Sequence, residues 1–225
     1  ETKILFLSRN TYFCKVFDNN KNEIDSGLAL PLMESFYTIQ GEGYFSGIPS
    51  YFLRIGGCDV GCHWCDVKES WDAELHPLTK IEDILKGLDH NICDNVVITG
   101  GEPLMYNLEP LTNLLKKNKF KINLETSGAY PLTGTFDWIC LSPKKNTDVI
   151  DNFYADCNEL KVIIQNNHDF KWAEIQSNKL KRGCFMYLQP EWSKSKIILP
   201  RIIDYVKNNT KWKISLQTQK YMNIP

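Results

Sequence analysis

The sequence predicts an α/β fold in which a parallel β-sheet, either flat or curled into a barrel, has helices on its outside. Seven short and mostly continuous apolar segments recur along the chain. Such segments are typical of strands that are buried on both faces of a parallel sheet. Amphipathic helical segments lie between several of them, and strands that alternate with helices form the β-α units of a parallel sheet.

The first predicted strand begins at position 50, and the others follow in order towards the end of the chain. The strands are predicted at residues 50–55, 95–99, 120–125, 137–142, 159–164, 184–189 and 212–217. Four helices are predicted between them, at residues 81–88, 108–118, 169–180 and 200–209. Thr79 and Glu82 form a capping-box pattern at the start of the first helix, and Pro200 is placed in the first turn of the last.

Length and composition predict one sizeable domain with a hydrophobic core. The chain has 225 residues, of which 43% are hydrophobic, and its 26 basic and 27 acidic residues nearly cancel. A nucleic-acid partner is disfavoured because the chain has no basic block. No apolar run approaches the length of a membrane span and no secretory signal is visible, so we expect no membrane association and a cytoplasmic protein with reduced cysteines.

The chemistry-bearing pattern begins near Leu30, and residues 30–225 are predicted to form the domain. Residues 1–29 are interpreted as an N-terminal extension of uncertain structure, in which the polar residues 18–26 indicate a loop or linker. Five of the eight cysteines are scattered along the chain, and each is predicted to be a small buried apolar residue. These are Cys14, Cys93, Cys140, Cys157 and Cys184.

The other three cysteines, Cys58, Cys62 and Cys65, form a CxxxCxxC pattern in one short loop. Thiolates favour zinc, copper(I) and iron-sulfur clusters. A full thiolate set for a cubane cluster is four, so three thiolates from one loop leave one iron open to another ligand. The spacing favours a cluster, but His63 inside the loop leaves a Cys3His zinc site as an alternative.

Polar and glycine residues follow several predicted strands, at the edge of the sheet where α/β folds bind ligands. The segment Gly100-Gly101-Glu102-Pro103 follows the second strand, and two glycines let a backbone approach a ligand closely. Each of the other segments alone is ordinary turn chemistry, but together they predict a polar rim around one sheet. These segments are Thr126-Ser127-Gly128, Ser142-Pro143-Lys144 and Gln189-Pro190.

The order of these motifs resembles that of a known enzyme family. A CxxxCxxC loop followed by GGEP at the end of a later strand resembles the radical S-adenosylmethionine (SAM) superfamily. More narrowly, the chain resembles the 7-carboxy-7-deazaguanine synthases of the queuosine pathway from about Leu30 to Pro225. The motifs that carry this resemblance are FYTIQGEG, CDVGCHWCD, TGGEP, ETSG, LSPK, LQPEW and LQTQKY.

The resemblance implies a fold, a reaction and partners. The fold would be an incomplete β/α barrel of the radical SAM type with helices outside a parallel sheet, and the protein would be a homodimer. The reaction would be a lyase reaction that converts 6-carboxy-5,6,7,8-tetrahydropterin to 7-carboxy-7-deazaguanine with loss of ammonia. It would require a 4Fe-4S cluster, SAM, Mg²⁺ and an electron donor such as flavodoxin or ferredoxin.

The resemblance also implies roles for particular residues. Cys58, Cys62 and Cys65 would hold the cluster, and its open iron would bind the amino and carboxylate groups of SAM. The SAM-binding residues would be Trp64, Asp66, Gly101, Ser127, Ser142, Pro143, Lys144, Gln189, Pro190, Glu191 and Trp192. The pterin-binding residues would be Ile39, Gln40, Gly41, Glu42, Arg54, Thr99 and the terminal carboxylate of Pro225.

Two positions depart from the family pattern. Val67 stands where relatives place a Thr or Ser ligand of magnesium. Either Asp66, Glu69, or substrate and water hold the ion, or the ion is dispensable. Gln219 stands where some relatives carry His, and an amide cannot act as a general acid at neutral pH. Two alternatives remain open: another radical SAM enzyme such as a glycyl-radical activase, and a non-enzymatic zinc-binding protein.

Overall fold

The computed structural model describes residues 20–150, 152–181 and 183–225. Residues 1–19 of the predicted N-terminal extension therefore lie outside the described residues. A short helix, α1 (Lys21–Asp25), lies in the segment 18–26 that the sequence predicts as a loop, so that prediction is wrong for this part. Glu23 of this helix pairs with Lys80 at 3.5 Å, which ties the helix to the rest of the chain.

Within the described residues, a single sheet of nine strands forms the centre of the fold. The strands are β1 (Ala29–Ile39), β2 (Pro49–Ile55), β3 (Leu78–Lys80), β4 (Asn95–Gly100), β5 (Lys121–Thr126), β6 (Trp138–Leu141), β7 (Glu159–Ile164), β8 (Phe185–Pro190) and β9 (Trp212–Ile214). Their order across the sheet is β3-β1-β2-β4-β5-β6-β7-β8-β9. β2 and β4 to β9 run parallel, whereas β1 is antiparallel to both β2 and β3. Because β3 and β9 are edges in the described sheet, the barrel is incomplete, as predicted.

All seven predicted strands are present, and their ends differ from the prediction by at most one residue except at β9, which ends at Ile214. β1 and β3 were not expected from the sequence. In β1 the polar residues Glu34 and Ser35 interrupt the apolar ones, and only its first three residues are fully buried. It therefore lacks the continuous apolar run that marks a strand buried on both faces.

Six further helices follow α1 along the chain. They are α2 (Ile81–Lys86), α3 (Glu109–Lys117), α4 (Asn152–Asp156), α5 (His168–Ser177), α6 (Ser195–Asn208) and α7 (Thr218–Met222). The predicted capping box is wrong, because Thr79 lies in β3 and its hydroxyl donates to Pro77 O at 3.1 Å. The predicted start of α6 is also wrong, because this helix begins at Ser195 and contains Pro200 inside it.

Alternate residues of the parallel strands face two different environments. In β7, Leu160 and Val162 are fully buried in the hydrophobic core, whereas Lys161 and Ile163 line a cavity inside the barrel. β5 repeats this pattern, with Leu124 in the core and Glu125 on the cavity. The outer face of the sheet therefore binds the helices, and the inner face carries polar groups towards a ligand space.

The segment 40–48, which we call the floor segment, joins β1 to β2 and closes one end of the barrel. Because β1 is antiparallel to β2, this segment starts beside the amino-terminal ends of the parallel strands. The Tyr44 ring packs on Trp138 and Phe185, the first residues of β6 and β8, with ring centroids 4.6 and 4.7 Å apart. Its backbone N–H donates to Glu159, the first residue of β7, at 3.2 Å.

Four of the scattered cysteines lie in the described part of the chain, and Cys14 lies outside it. Cys93, Cys140 and Cys157 are buried, as predicted, whereas Cys184 is partly exposed. The Sγ atoms of Cys157 and Cys184 lie 3.7 Å apart, next to the starts of β7 and β8. None of the helices in the described ranges is both long enough and apolar enough to cross a bilayer.

Candidate active site

The cysteine loop follows β2 and is fixed by backbone hydrogen bonds on both sides. Gly57 donates to Ser70 O at 2.7 Å, and Cys58 donates to Trp71 O at 3.0 Å. Between the other two cysteines, Cys65 donates to Cys62 O at 2.9 Å. All three thiols are free, partly exposed and on the lining of one cavity of about 580 Å³.

The Gly100-Gly101 pair packs directly against the start of this loop. Gly101 donates to Ile55 O and Glu102 donates to Gly57 O, both at 2.9 Å. A Cβ on Gly101 would lie 2.2 Å from Gly57 O and 2.7 Å from the Cβ of Cys58. Since real Cβ atoms do not approach so closely, glycine is needed at this position for the end of β4 to support the first cysteine.

The carboxylate of Glu102 joins the end of β4 to the end of β5. It is 1% exposed and accepts hydrogen bonds from the Thr126 hydroxyl and the Ser127 backbone N–H, both at 2.7 Å. The Ser127 hydroxyl also donates to it at 2.5 Å. A buried carboxylate with several donors is well satisfied, so Glu102 holds Ser127 at the rim of the cavity.

Lys144 brings a positive charge next to the cysteine loop. Its Nζ donates to Ser142 O at 2.6 Å and to the Ser142 hydroxyl at 2.7 Å, and it lies 5.7 Å from the centre of the Trp64 ring. Burial lowers the pKa of Lys144, and the neighbouring Cys62 opposes this effect. Burial raises the pKa of Cys62, and the charge of Lys144 opposes it.

The donor set of this loop suits an iron-sulfur cluster. Three thiols from one loop line the same cavity, and a nearby cation favours the thiolate form of Cys62. His63, the fourth ligand of the zinc alternative, is exposed and is not part of the cavity lining. Within residues 20–150, 152–181 and 183–225, no group of three His, Cys, Asp or Glu side chains is arranged to hold a single metal ion such as zinc.

The floor segment forms the opposite end of the cavity, and Arg54, near the carboxyl end of β2, lies on the cavity wall. Gln40 donates to Glu125 Oε1 at 3.0 Å, and the Glu42 backbone N–H donates to Gln40 Oε1 at 3.0 Å. Arg54 donates through Nε to Glu34 at 2.5 Å, and its guanidinium lies 5.9 Å from the Phe36 ring. The terminal guanidinium nitrogens of Arg54 form no hydrogen bond with the described residues.

Glu42 lies at the centre of a buried network. Its Oε2 accepts from Lys161 Nζ at 2.6 Å and from Gln189 at 3.0 Å, and its Oε1 accepts from Gln217 at 3.0 Å and from Gln219 at 3.1 Å. Burial by itself would raise the pKa of Glu42. The charge of Lys161 and the hydrogen bonds outweigh that effect and lower the pKa to about 2.

The last residues of the chain form one wall of the cavity. Gln217 donates to Asp66 at 2.8 Å as well as to Glu42, and Lys220 donates to Asp66 at 2.5 Å. Pro225 accepts a hydrogen bond from the Thr38 hydroxyl at 3.4 Å. This wall therefore contacts both the cysteine loop and the floor segment.

The structure brings nearly all the predicted site residues to this cavity. Every predicted ligand of the cluster, of SAM and of the pterin lines it except Pro143, which is buried, and Val67 lines it too. Of the two carboxylates considered for magnesium, Asp66 lines the cavity and Glu69 does not. The sequence reasoning assigned no ligand to several polar lining residues, of which all but Lys161 lie in the motifs that carry the resemblance. They are Glu102, Glu125, Lys161, Gln217, Gln219 and Lys220.

One signal in the sequence points to two of these residues. Glu125 and Lys161 interrupt apolar runs that predict strands buried on both faces. Ionised side chains are rarely buried without a partner, so opposite charges in two such strands indicate a polar interior. Gln217 lies in the LQTQKY motif, but its contacts depend on how the end of the chain returns to the floor segment, which the motif does not show.

The comparison with known proteins first identifies the class of protein. The family model of the radical SAM superfamily matches residues 53–139, which include the cysteine loop and the Gly-Gly-Glu-Pro segment. An incomplete parallel barrel with three cysteines after its first parallel strand agrees with that match. The fold and the site therefore define a radical SAM protein.

Individual relatives cover most of the chain. A 7-carboxy-7-deazaguanine synthase from Flavobacterium psychrophilum is 55% identical over 202 residues, which are 90% of this chain and 96% of the relative. One from Synechocystis sp. is 44% identical over 197 residues, 88% and 94% of the two chains. The crystal structure of QueE from Escherichia coli matches with a TM-score of 0.75 and 31% identity, over 85% of this chain and 96% of that one. The chain belongs to the 7-carboxy-7-deazaguanine synthase family, which decides against the activase and zinc alternatives.

Proposed function

We propose that this chain is a radical SAM lyase that converts 6-carboxy-5,6,7,8-tetrahydropterin to 7-carboxy-7-deazaguanine with loss of ammonia, in queuosine biosynthesis. One observation carries the proposal: a single cavity is lined at one end by three cysteines and at the other by Gln40 and Glu42, with Arg54 of β2 on the wall between β1 and β4. A cofactor site and a site for a polar heterocycle are thus open to each other. Residues 30–225 would form the catalytic domain.

Cys58, Cys62 and Cys65 would hold a 4Fe-4S cluster. When bound, the reduced cluster and SAM supply the radical chemistry that removes a hydrogen atom from the substrate. The chain's own part is to bind, to orient and to keep water out. The residues proposed to hold SAM are Trp64, Asp66, Gly101, Ser127, Ser142, Pro143, Lys144, Gln189, Pro190, Glu191 and Trp192.

The floor segment and its neighbours would hold the pterin. A pterin edge has fixed donors and acceptors, which suit the amide of Gln40 and the network around Glu42. The terminal nitrogens of Arg54 suit the substrate carboxylate, since a guanidinium binds a carboxylate through two parallel hydrogen bonds. Its Nε bond to Glu34 would fix the direction of this fork. Ile39, Gly41, Thr99 and Pro225 complete the proposed pterin site.

Magnesium is proposed as a third cofactor, and Asp66 is the carboxylate best placed for it. Val67 lines the cavity but has no oxygen in its side chain. Magnesium usually keeps several waters and needs few protein ligands, so one carboxylate and the substrate can suffice. Lys220 and Gln217 already bind Asp66, and they would compete with the ion for it.

The remaining features of the proposal rest on the family and on the composition of the chain. The protein would act in the cytoplasm as a homodimer. It would receive electrons from a small donor protein such as flavodoxin or ferredoxin. Neither a nucleic acid nor a membrane is needed for the reaction.

An anaerobic assay tests the proposal. The cluster-reconstituted protein is supplied with SAM, a reductant and 6-carboxytetrahydropterin, with and without magnesium, and 7-carboxy-7-deazaguanine is measured by mass spectrometry. Product above that of a Cys62→Ala control is the expected result. Formation of 5′-deoxyadenosine without the deazaguanine would contradict the assignment of the pterin as substrate. Comparison of the assays with and without magnesium would show whether Val67 changes the need for the ion.

A further inference from the structure

Lys161 is a buried cation on the inner face of the barrel that binds two carboxylates at once. Its Nζ lies 2.6 Å from Glu42 Oε2 and 3.4 Å from Glu125 Oε2, and its side chain is 5% exposed. Glu42 belongs to the floor segment and Glu125 to β5, so the lysine on β7 joins three separate parts of the cavity wall. All three residues line the cavity.

Stability alone does not explain this arrangement. Moving charges out of water is costly, and a buried ion pair can often be replaced by apolar residues without loss of stability. The neighbouring core positions on the same strands, Leu160, Val162 and Leu124, are apolar and fully buried. Charges therefore occur where the strands face the cavity.

The two carboxylates differ in the acceptor capacity that they have left. Glu42 accepts four side-chain hydrogen bonds, two at each oxygen, so it is committed to the network. Glu125 has one close donor, Gln40 at 3.0 Å, and its side chain is 24% exposed. Lys161 thus fixes one carboxylate that supports the floor segment and a second one that remains open to the cavity.

The charges around Lys161 also favour its charged form. Burial would lower its pKa, but Glu125, Glu42, Cys140 and Glu159 raise it well above the ordinary value. Lys144 is a second cation on the cavity wall, and Lys161 contributes to lowering its pKa. Asp66 is connected to the network through Gln217.

We propose that Lys161 is a positioning residue for the pterin, because its ammonium holds Glu42 and Glu125 as oriented carboxylates beneath the substrate. This inference rests on the proposed function and adds to it a residue that the family motifs do not contain. Without the ammonium, the two buried carboxylates would face each other's charge, and burial would favour their protonated forms. A protonated carboxyl group would then donate a hydrogen bond to the floor segment or to a ligand where the carboxylate accepts one now.

A Lys161→Met variant tests the inference, with Lys211→Met as the matched control. Lys211 pairs with Glu174 at 2.5 Å outside the cavity and is exposed. For Lys161→Met, we expect KM for the pterin to rise by about tenfold or more while SAM binding and cluster content stay unchanged. We also expect kcat/KM to fall as the pH decreases below about 7, since uncompensated buried carboxylates take up protons at higher pH.

Two further variants make the outcome decisive. Lys161→Arg keeps the charge and is expected to keep the wild-type pH profile. If Lys161→Met does not retain its cluster, the double variant Glu42→Gln/Lys161→Met removes one uncompensated charge. Its KM and pH profile are then compared with those of Glu42→Gln alone, because Glu42 itself belongs to the proposed pterin site.

A variant without the ammonium that retains its cluster, and matches Lys211→Met in both KM and pH profile, would overturn the inference. If the wild-type protein itself forms 5′-deoxyadenosine but no deazaguanine, the proposed function fails instead.

Discussion

Glu102 receives two hydrogen bonds from Ser127, one from the backbone N–H at 2.7 Å and one from the hydroxyl at 2.5 Å. This relationship joins two motifs that lie on neighbouring strands and that the sequence presents as separate turns. The residue type at position 102 is therefore explained by the position of Ser127 rather than by a direct contact with a ligand.

Replacing Glu102 by Gln should destabilise the protein by about 1–3 kcal/mol, because an amide NH₂ would face donors in a buried site. The loss should also weaken SAM binding, since Ser127 would no longer be held at the rim. Urea unfolding and a SAM titration measure the two effects. The exposed Glu109→Gln is the control, and an equal stability for both variants would contradict the role given to Glu102.

Replacing Gly101 by Ala should disturb the cysteine loop. The new Cβ would lie 2.2 Å from Gly57 O, and such overpacking costs about 1–3 kcal/mol. Iron and sulfide per chain after reconstitution should fall clearly below the wild-type content. Gly87→Ala is the matched control, because its Cβ would meet only Ile84 O at an ordinary 3.4 Å. A full iron content in Gly101→Ala would show that the loop tolerates the shift.

The low pKa of Glu42 should make stability depend on pH in acid. Its pKa is lowered from 4.5 to about 2, so the stabilisation is fully present above pH 4.5 and is lost as the pH falls through about 2. The full shift corresponds to a contribution of Glu42 to the free energy of unfolding on the order of 3 kcal/mol. Urea unfolding of wild type and Glu42→Gln between about pH 6 and about pH 3 compares the slopes. The wild type should lose stability more steeply, and parallel slopes would refute this assignment.

Cys157 and Cys184 should form a disulfide when the protein is oxidised. Their Sγ atoms are 3.7 Å apart, and a closure to about 2.05 Å completes the bond. The hydrogen bond between the thiols lowers the pKa of Cys184, which favours it as the attacking thiolate. Hydrogen peroxide would oxidise it to a sulfenic acid and release water, and Cys157 would displace a second water. Peptide mass spectrometry should find this link in wild type and not in Cys184→Ser, whereas buried Cys93 should stay reduced.

The parallel strands were predictable because most of their residues are buried on both faces of the sheet, which leaves a nearly continuous apolar run in the sequence. The cysteine loop and the strand-end motifs were predictable because their residue types are needed for the local backbone or the donor chemistry. Gly101 illustrates this, since no other residue fits beside Gly57. β1 escaped prediction because its polar interruptions belong to a half-buried antiparallel strand.

The pairing of the charged residues inside the barrel could not be predicted from local sequence patterns. Glu42, Glu125 and Lys161 are far apart in the chain, and their pairing depends on two strands and the floor segment meeting at one point. A single charge within an apolar run indicates an inner face but does not identify its partner. The contacts of Gln217 with Asp66 and Glu42 depend in the same way on the path of the last residues.

The position of the floor segment separates the residues at the base of the cavity from the cluster ligands, and this separation matters for the evolution of the fold. One short stretch between β1 and β2 sets both the depth of the cavity and the groups at its base, whereas the cysteine loop begins at the other end of β2. A change in the length or residues of the floor would alter which ring systems fit without displacing the cluster ligands. Substrate preference and radical generation can therefore diverge separately on the same barrel.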